Sequence, residues 1–277
     1  MAILLALAAA TLAGSGDFLG GLGSRRGRVM AVVLFNHVAG VLAMLAMGPL
    51  FGGSLDSPTV WWGAVAGLSG AFAVVSLYRG FARSSMAVVS PIAAVGAGAW
   101  PVMWQIVRGD VPGAMVLTGI VVGLVAIWTI SSGGHIHEAE DVRSGVFYGL
   151  RAGLGFGGLL IFLSLGSDTS GIWALLPARV AGSIAVLAVV LVSGRELVPH
   201  RKAIAPSVSA GILVTLGNGL FVLASTKGSL AVVSVLAAMF PAATVILARM
   251  VLHERLTYQR RLGLALALVA VGLVAGG

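Results

Sequence analysis

Apolar stretches of about 20 residues alternate with short polar segments along the whole chain. A helix needs about 20 mostly apolar residues to cross the ~30 Å hydrocarbon core of a bilayer. Ten stretches meet this requirement, so the pattern predicts ten membrane-spanning helices. They cover approximately residues 3–22, 30–51, 59–80, 86–107, 113–131, 144–166, 172–193, 204–226, 229–252 and 259–276.

The longest polar segment, residues 131–144, lies between the fifth and sixth predicted helices. It divides the chain into a first five-helix half at 1–133, a polar linker at 134–143 and a second five-helix half at 144–277. The other connections are too short to hold a soluble domain. We therefore expect the helices themselves to carry the function.

The two halves resemble each other at a fixed offset of 144 residues, without gaps over roughly forty positions. An internal repeat of this length indicates duplication, and it is identified before a fold is assigned. The matched pairs are Arg83 with Lys227, Ser85 with Ser229, Ala87–Ser90 with Ala231–Ser234, Ala93–Ala94 with Ala237–Ala238, Asp110 with Glu254, and Gly119 with Gly263.

Five is an odd number, so two consecutive five-helix copies enter the membrane from opposite sides. The sequence therefore predicts an all-α integral membrane protein of ten transmembrane helices in two inverted repeats. Inverted repeats are typical of secondary transporters, which bind substrate near the bilayer midplane between the halves. Earlier in each half, Val38–Gly40 matches Val180–Gly182 at an offset of 142.

The composition agrees with a membrane protein. The chain of 277 residues is 58% hydrophobic and 9% charged, with a mean hydropathy of +1.05, whereas about a quarter of the residues in soluble domains are charged. Its 40 glycines let membrane helices approach closely. The net charge of +8 lies mostly in short loops, so we expect no nucleic-acid partner. With no cysteine, the chain forms no disulfide or thiolate metal site.

Loop charge predicts the orientation in the cell membrane. Arginine and lysine are concentrated after the first, third, seventh and ninth helices, and positive residues favour the cytoplasmic side. We therefore predict that both chain ends are external. The apolar N-terminus lacks the preceding positive charge of a signal peptide and is predicted to remain as the first helix.

The second copy carries the residues of a family resemblance. Pro241 lies within the ninth helix, the hinge reads Leu252-His253-Glu254-Arg255-Leu256-Thr257, and Gly263 begins the last helix. With ten helices in two halves, this pattern resembles the EamA family of the drug/metabolite transporter superfamily. The first copy departs from it, with Arg108-Gly109-Asp110 in its hinge. The resemblance implies a transporter of amino acids, sugars, nucleotides or other metabolites, often outward.

Polar side chains within hydrocarbon are costly and indicate function. Asp17 is the one carboxylate within an apolar span, and it can bind a cation or proton or lie at the interface beside Arg25. Asn36 and His37 lie in the second helix, and Arg179 matches His37 at the offset of 142. A ligand held between the halves would contact both, although a structural cation bonded to backbone carbonyls is an equal alternative for Arg179.

Five further residues are candidates for substrate contact. Arg151 lies ~10 Å deep at 1.5 Å per residue, and its alternative role is to extend its charge to the interface. Trp100 and Trp104 lie one turn apart and can line a substrate path or anchor the helix at the membrane surface. Tyr78 and Asn218 complete the predicted substrate-binding set.

Three prolines are predicted as hinge or gating positions: Pro101, Pro177 and Pro241. Proline lacks an amide donor and tends to kink a helix, which frees backbone groups. We expect Pro241 to break the ninth helix near the middle of the membrane. The acids Glu254 and Asp110 are predicted to cap the following helix or to pair with Arg255 and Arg108.

No cofactor or metal site is predicted. His135, His137, Glu138, Glu140 and Asp141 in the linker lack a defined zinc spacing. No Gly-rich nucleotide-binding motif ending in Lys-Ser/Thr is present.

The sequence thus predicts a secondary transporter, in particular an exporter of a small polar or amphipathic metabolite, amino-acid-like or otherwise anionic, and not an enzyme. The alternatives are an intramembrane enzyme acting on lipid or isoprenoid, for which Asp17 and His37 lack acid–base partners, and a non-transporting membrane subunit. The expected partners are the small-molecule substrate and the lipid bilayer, for a monomer or homodimer.

Overall fold

The computed structural model describes residues 1–50, 53–109, 113–131, 139–165, 171–194, 196–225, 227–228, 236–237, 239–254 and 257–276. Helices dominate these residues, and they contain no strand. The described residues form ten α-helices: α1 (Ala2–Arg26), α2 (Val29–Met47), α3 (Ser57–Arg83), α4 (Met86–Val107), α5 (Ala114–Ser131), α6 (Ala139–Leu163), α7 (Leu175–Val192), α8 (Arg201–Ser225), α9 (Phe240–Leu252) and α10 (Tyr258–Gly276).

The helices follow the predicted spans closely. Seven of those described are long and apolar enough to cross a membrane, and two shorter apolar helices lie at Ala114–Thr129 and Phe240–Leu252. The last five positions of the predicted linker, 139–143, form the start of α6. The ninth predicted helix is described mainly from Phe240 onward, because 229–235 and 238 lie outside the described residues.

Helix starts explain the positions of two prolines. Pro177 is the third residue of α7, after a 3₁₀ turn at Gly171–Ala174, and Pro241 lies in the first turn of α9. The first four amides of a helix have no partner within it, so proline fits there. The expected kink at Pro177 is therefore wrong, because this proline begins a helix. Pro101 does lie inside a helix, α4, together with Pro91.

The two halves of the chain interleave. The most extensive packing joins α1 with α8 and α3 with α6, and α4 also packs against α6, and α5 against α10. Helices α2 and α7 pack against each other, and each also packs against the third helix of the other half. The core is therefore built between the halves, where a ligand would contact both.

Small residues allow the closest of these crossings. A Cβ on Gly67 of α3 would collide with the carbonyl oxygen of Ala178 in α7, and one on Gly211 of α8 would collide with that of Asn36 in α2. Backbones in contact at glycine are typical of membrane bundles, in which dispersion forces replace the hydrophobic effect.

We expect Gly67→Ala and Gly211→Ala each to destabilise the protein by about 1–3 kcal/mol, the usual cost of overpacking. The measurement is the apparent melting temperature of the purified protein in detergent. Gly98→Ala is the matched control, because its Cβ would lie 3.5 Å from Val274 Cγ1, an ordinary contact. Equal melting temperatures for all three variants would contradict the observed close packing.

The two ends of the bundle differ. We call the basic face the end that holds the α1–α2, α3–α4, α7–α8 and α9–α10 connections, and the terminal face the end that holds both chain ends. The main buried cluster includes Phe18, Leu22, Phe81, Met86 and Val89, toward the basic-face ends of α1, α3 and α4. Dense packing there leaves open space toward the terminal face.

Candidate functional site

A cavity of about 550 Å³ lies inside the bundle. Among the described residues, every helix except α5 contributes to its lining. The lining residues of α1, α6, α8 and α10 lie in the middle and in the terminal-face part of each helix, from Ala9 and Ala13 in α1 to Val274 in α10. The cavity therefore extends from the middle of the bundle toward the terminal face.

Six of the nine predicted substrate-binding residues line this cavity: Asp17, Asn36, His37, Tyr78, Arg179 and Asn218. They come from α1, α2, α3, α7 and α8, so both halves contribute. The sequence predicted each of these side chains separately, and the fold brings all six to the lining of one cavity. Their role in substrate binding remains a prediction.

A hydrogen-bonded chain connects three of these side chains. Arg179 Nη1 donates to Asn36 Oδ1 at 3.2 Å, and Asn36 Nδ2 donates to Tyr78 Oη at 3.1 Å. Asn36 is the residue that can make both bonds, since its amide both accepts and donates. The chain orients the guanidinium of Arg179 within the cavity and leaves its remaining donors for other partners.

Tight packing fixes the far end of the chain. Tyr78 is 1% exposed and its ring contacts α1 at Gly20, where a Cβ would collide with the phenol oxygen. The same ring stacks on Phe81 at 6.3 Å between centroids. Tyr78 is therefore a rigid support for Asn36, and through Asn36 it positions Arg179.

Asp17 brings a carboxyl group to the same cavity. It lies in α1 between the buried residues Gly16 and Phe18, and the positive charge of Arg179 acts on it across the cavity. The two groups are not in direct contact, because no ion pair within 4.0 Å joins them in the described structure. A separated carboxylate and guanidinium can bind the two charged ends of one small molecule.

The imidazole ring of His37 is held by a hydrogen bond to the backbone of its own helix, α2. Its Nδ1 lies 3.0 Å from the carbonyl oxygen of Val33, and since a carbonyl only accepts, Nδ1 carries the proton. The other edge of the ring packs on Gly182 of α7, where a Cβ would be 2.8 Å from Cδ2. His37 therefore fills the α2–α7 crossing beside the cavity.

Phenylalanine and aliphatic side chains form most of the cavity wall, and the sequence did not identify them. The phenylalanines are Phe156, Phe221 and Phe240, from α6, α8 and α9. Phe240 precedes Pro241 and Phe156 lies among the glycines of α6, but a helix in lipid is apolar on all sides. Periodicity therefore does not distinguish a cavity-facing phenylalanine from a lipid-facing one.

The other three predicted substrate residues do not line the cavity. Trp100 and Trp104 are 38% and 40% exposed on α4, consistent with the alternative role of membrane anchors. The Arg151 guanidinium stacks between Phe72, at 4.9 Å from its ring centre, and Phe147, at 5.2 Å. Cation–π contacts of this kind stabilise a charge outside the cavity.

The predicted hinge prolines also separate. Pro101 lines the cavity, whereas Pro177 packs against α3, where a Cβ on Gly63 would be 2.6 Å from its Cγ. No cluster of three metal-ligating side chains occurs among the residues that the structure describes. His135, His137 and Glu138 of the predicted linker lie outside them.

A second polar cluster, which we call the clamp, closes the bundle at the basic face. Glu254 Oε1 accepts from Arg25 Nη2 at 2.6 Å, and Oε2 accepts from Ser85 Oγ at 2.6 Å. Arg25 also donates from Nε to the carbonyl oxygen of Phe81 at 2.6 Å. The clamp, formed by Arg25, Ser85 and Glu254, thus joins α1, the α3–α4 connection and the α9–α10 connection.

The clamp corrects the predicted role of Glu254. Its carboxylate reaches across the bundle and does not cap the following helix. Thr257 takes the capping position instead, with its Oγ1 accepting from the amide of Arg260 at 3.3 Å. Arg255 and Asp110, two other residues of that prediction, lie outside the described part of the chain, so the pairing of Asp110 with Arg108 stays a prediction.

Together, the apolar helices and the internal cavity define a multi-pass helical membrane protein with a candidate binding site between its halves. Comparison with family models assigns it more closely. Residues 143–276 match the model of the EamA-like transporter family. The second half of the chain therefore belongs to the EamA family, within the drug/metabolite transporter superfamily.

Two other comparisons bear on the fold. A solved structure titled "Crystal structure of protein" is 17% identical, with a TM-score of 0.60, and the match covers 96% of this chain and 97% of that one. This likeness shows a shared fold over nearly the full length. Comparison with curated proteins gave no match.

Proposed function

We propose that this chain is a secondary transporter that moves a small amphipathic metabolite with a carboxylate or other anionic group, by alternating access. The observation that carries the proposal is Arg179, held by Asn36 in a mostly apolar cavity between the halves. A planar guanidinium offers paired donors that match a carboxylate. The apolar wall suits the uncharged part of such a molecule.

The proposed mechanism includes the inverted repeat, and two reciprocal contacts support it. His37 of α2 lies on Gly182 of α7, and Arg179 of α7 lies on Gly40 of α2, where a Cβ would be 3.1 Å from the guanidinium carbon. Replacing each residue by its counterpart at offset 142 exchanges these two contacts. A pseudo-twofold axis between α2 and α7 accounts for this exchange.

The third helices repeat the relation. Gly67 of α3 meets Ala178 of α7, and Gly211 of α8 meets Asn36 of α2. Gly67 and Gly211 are 144 residues apart, while Asn36 and Ala178 are 142 apart, so these contacts also exchange. Two structurally equivalent halves can rock against each other around a central site.

The asymmetric closure of the bundle fits one stage of this cycle. The clamp joins the helices at the basic face, while the cavity extends toward the terminal face. In the proposed cycle, breaking the clamp and closing the terminal face would present the site to the other side. The two arrangements are the alternating states of the carrier.

We further propose that the protein lies in the cell membrane as a monomer or homodimer, with the basic face in the cytoplasm and both chain ends external. The loop charge supports this orientation. Export is the proposed direction and rests on the family resemblance. The substrate then enters from the basic face and leaves from the terminal face.

The first experiment is thermal stabilisation of the detergent-purified protein by amino acids, other carboxylates, sugars, nucleotides and organic cations. A ligand that binds only the folded state raises its apparent stability. We expect carboxylates with an apolar side group to raise the melting temperature, and uptake of the hits into proteoliposomes to be saturable. Binding without any transport in liposomes would contradict the carrier mechanism.

Asp17 gives a second prediction, because its carboxylate can pair with an ammonium group. We expect Asp17→Asn to weaken binding of amino-acid-like ligands by about tenfold or more, the loss of one charge-assisted hydrogen bond. Ligands with a carboxylate but no amine should lose little affinity. Isothermal titration of matched pairs with and without the amine measures this, and equal losses for both would exclude an ammonium site at Asp17.

A further inference from the structure

A second cavity, separate from the proposed substrate site, lies at the basic face. Its volume is about 560 Å³, and its charged and polar lining residues are Arg28, Arg79, Arg83, Tyr148 and Glu196. They come from the start of α2, the end of α3, α6 and the α7–α8 connection. We call it the basic cavity.

The charge of the basic cavity favours an anion. Among the described lining residues, three guanidinium groups face one carboxylate, and arginine stays protonated at every physiological pH. Arg79 and Arg83 lie four residues apart on α3, so their side chains share one face of that helix. Arg83 lies over the Tyr148 ring at 5.4 Å, and Arg79 Nη2 lies 4.0 Å from Met30 Sδ.

Tyr148 adds a neutral donor. Arg83 Nη1 donates to its hydroxyl oxygen at 2.5 Å, so the hydroxyl proton points away from that arginine and can be donated to an anion. The tyrosine is 9% exposed, which fixes the position of its hydroxyl group. A fork of guanidinium donors with one hydroxyl donor is suited to phosphate oxygens.

Glu196 is a counterion that a ligand can displace. It pairs with Arg28 at 3.1 Å, but the two side chains are 70% and 57% exposed. Exposed ion pairs contribute little stability. An arriving anion can therefore take the place of this carboxylate at low cost.

We infer that the basic cavity binds a phosphate group, and that an anionic phospholipid headgroup supplies it. Lipid-facing surface lies close by, because α6 exposes Phe147 and the basic-face end of α7 exposes Leu191 and Val192. Basic pockets between transmembrane helices bind anionic headgroups in this way. Free phosphate has the same chemistry, and the experiment separates the two sources.

The test uses the full-length protein, purified in detergent, with dioleoyl phosphatidylglycerol, dioleoyl phosphatidylcholine or inorganic phosphate. Native mass spectrometry measures retained lipid, and thermal stability measures the effect of each probe. We expect phosphatidylglycerol to bind and stabilise, and phosphatidylcholine to do neither. If inorganic phosphate alone reproduces the stabilisation and displaces the lipid, the site is a phosphate site without lipid preference.

Variants change the affinity in opposite directions. The double variant Arg79→Ala/Arg83→Ala should lower the affinity for phosphatidylglycerol about tenfold or more, and Glu196→Gln should raise it severalfold, because a competing carboxylate is removed. Arg143→Ala is the matched control, since this exposed arginine near the start of α6 does not line the cavity. It should leave the affinity unchanged.

Equal binding by the wild type and the double variant, with either probe, would overturn the inference. If the double variant does not fold, Glu196→Gln decides alone, because it leaves the arginines in place and an unchanged affinity contradicts the site. The proposed transport function does not enter this test.

Discussion

Arg179→Ala is expected to lower the transport of carboxylate substrates by about 100-fold or more. Hydrogen bonds to charged groups contribute about 1.5–3 kcal/mol each, a guanidinium forms two of them to a carboxylate, and each 1.4 kcal/mol corresponds to a factor of ten. The variant also leaves Asp17 in the cavity without the positive charge that acts on it. The measurement is initial uptake into proteoliposomes together with the affinity of the detergent-purified protein.

Arg151→Ala is the matched control, because Arg151 is also an arginine within a transmembrane helix but stacks between Phe72 and Phe147 outside the cavity. Arg151→Ala should change transport less than threefold, an effect that lost packing can cause. If transport changes more than that, the melting temperature of the variant should fall as well. Arg179→Lys keeps the charge but loses the planar fork, so it should fall between the wild type and Arg179→Ala.

The ligand series separates binding from structural support. Loss of affinity for carboxylates, with affinity retained for analogues in which an amide replaces the carboxylate, is expected of a substrate contact. An equal loss for both would show that Arg179 only holds Asn36 in place. Wild-type transport by Arg179→Ala would remove the basis of the proposed function.

The sequence predicted the helices well because spanning length and polar interruption are local properties. The predicted fourth helix, 86–107, coincides with α4, and most other ends differ by at most a few residues. The exception is the ninth predicted helix, whose first residues lie outside the described part of the chain. Polar residues within apolar spans were equally informative, because each must find a partner or a cavity in the absence of water. Asn36 and Tyr78 show this, since they satisfy each other.

The sequence did not predict which residues face the cavity or form the clamp, because both depend on which helix faces meet. Both Phe156 and Phe147 are apolar residues of α6, yet the first lines the cavity and the second is exposed. Arg151 was predicted by its depth alone, and depth does not show the direction of a side chain. The clamp joins Arg25 and Glu254 over 229 residues of sequence, and no local pattern encodes such a pair.

The second large effect concerns the clamp and uses the absence of cysteine from the chain. A single cysteine can be introduced as a reporter without removing any other. Ser90 suits this purpose, because it is 1% exposed and lies on α4 between Met86, beside the clamp, and Ala94, which lines the cavity. Residues spaced by four share one helix face, so Ser90 lies on the path from the basic face to the cavity.

In a Ser90→Cys background, Glu254→Gln should raise the rate of modification by a water-soluble maleimide about tenfold. The substitution weakens the hydrogen bonds from Arg25 and Ser85 to the Glu254 carboxylate, whose side chain is only 11% exposed. A hydrogen bond to a charged group contributes about 1.5–3 kcal/mol. In the proposed cycle the clamp holds one of two states, so its loss would shift the population toward the state open at the basic face.

Glu196→Gln is the control for the clamp, since it removes a carboxylate from the same face whose ion pair with Arg28 is largely exposed. It should leave the labelling of Cys introduced at position 90 unchanged in phosphatidylcholine liposomes. A transportable ligand should alter the labelling in the Glu254→Gln background, because a carrier exchanges its two states with substrate bound. Identical labelling rates for the two glutamine variants would show that packing alone, and not the clamp, closes the basic face.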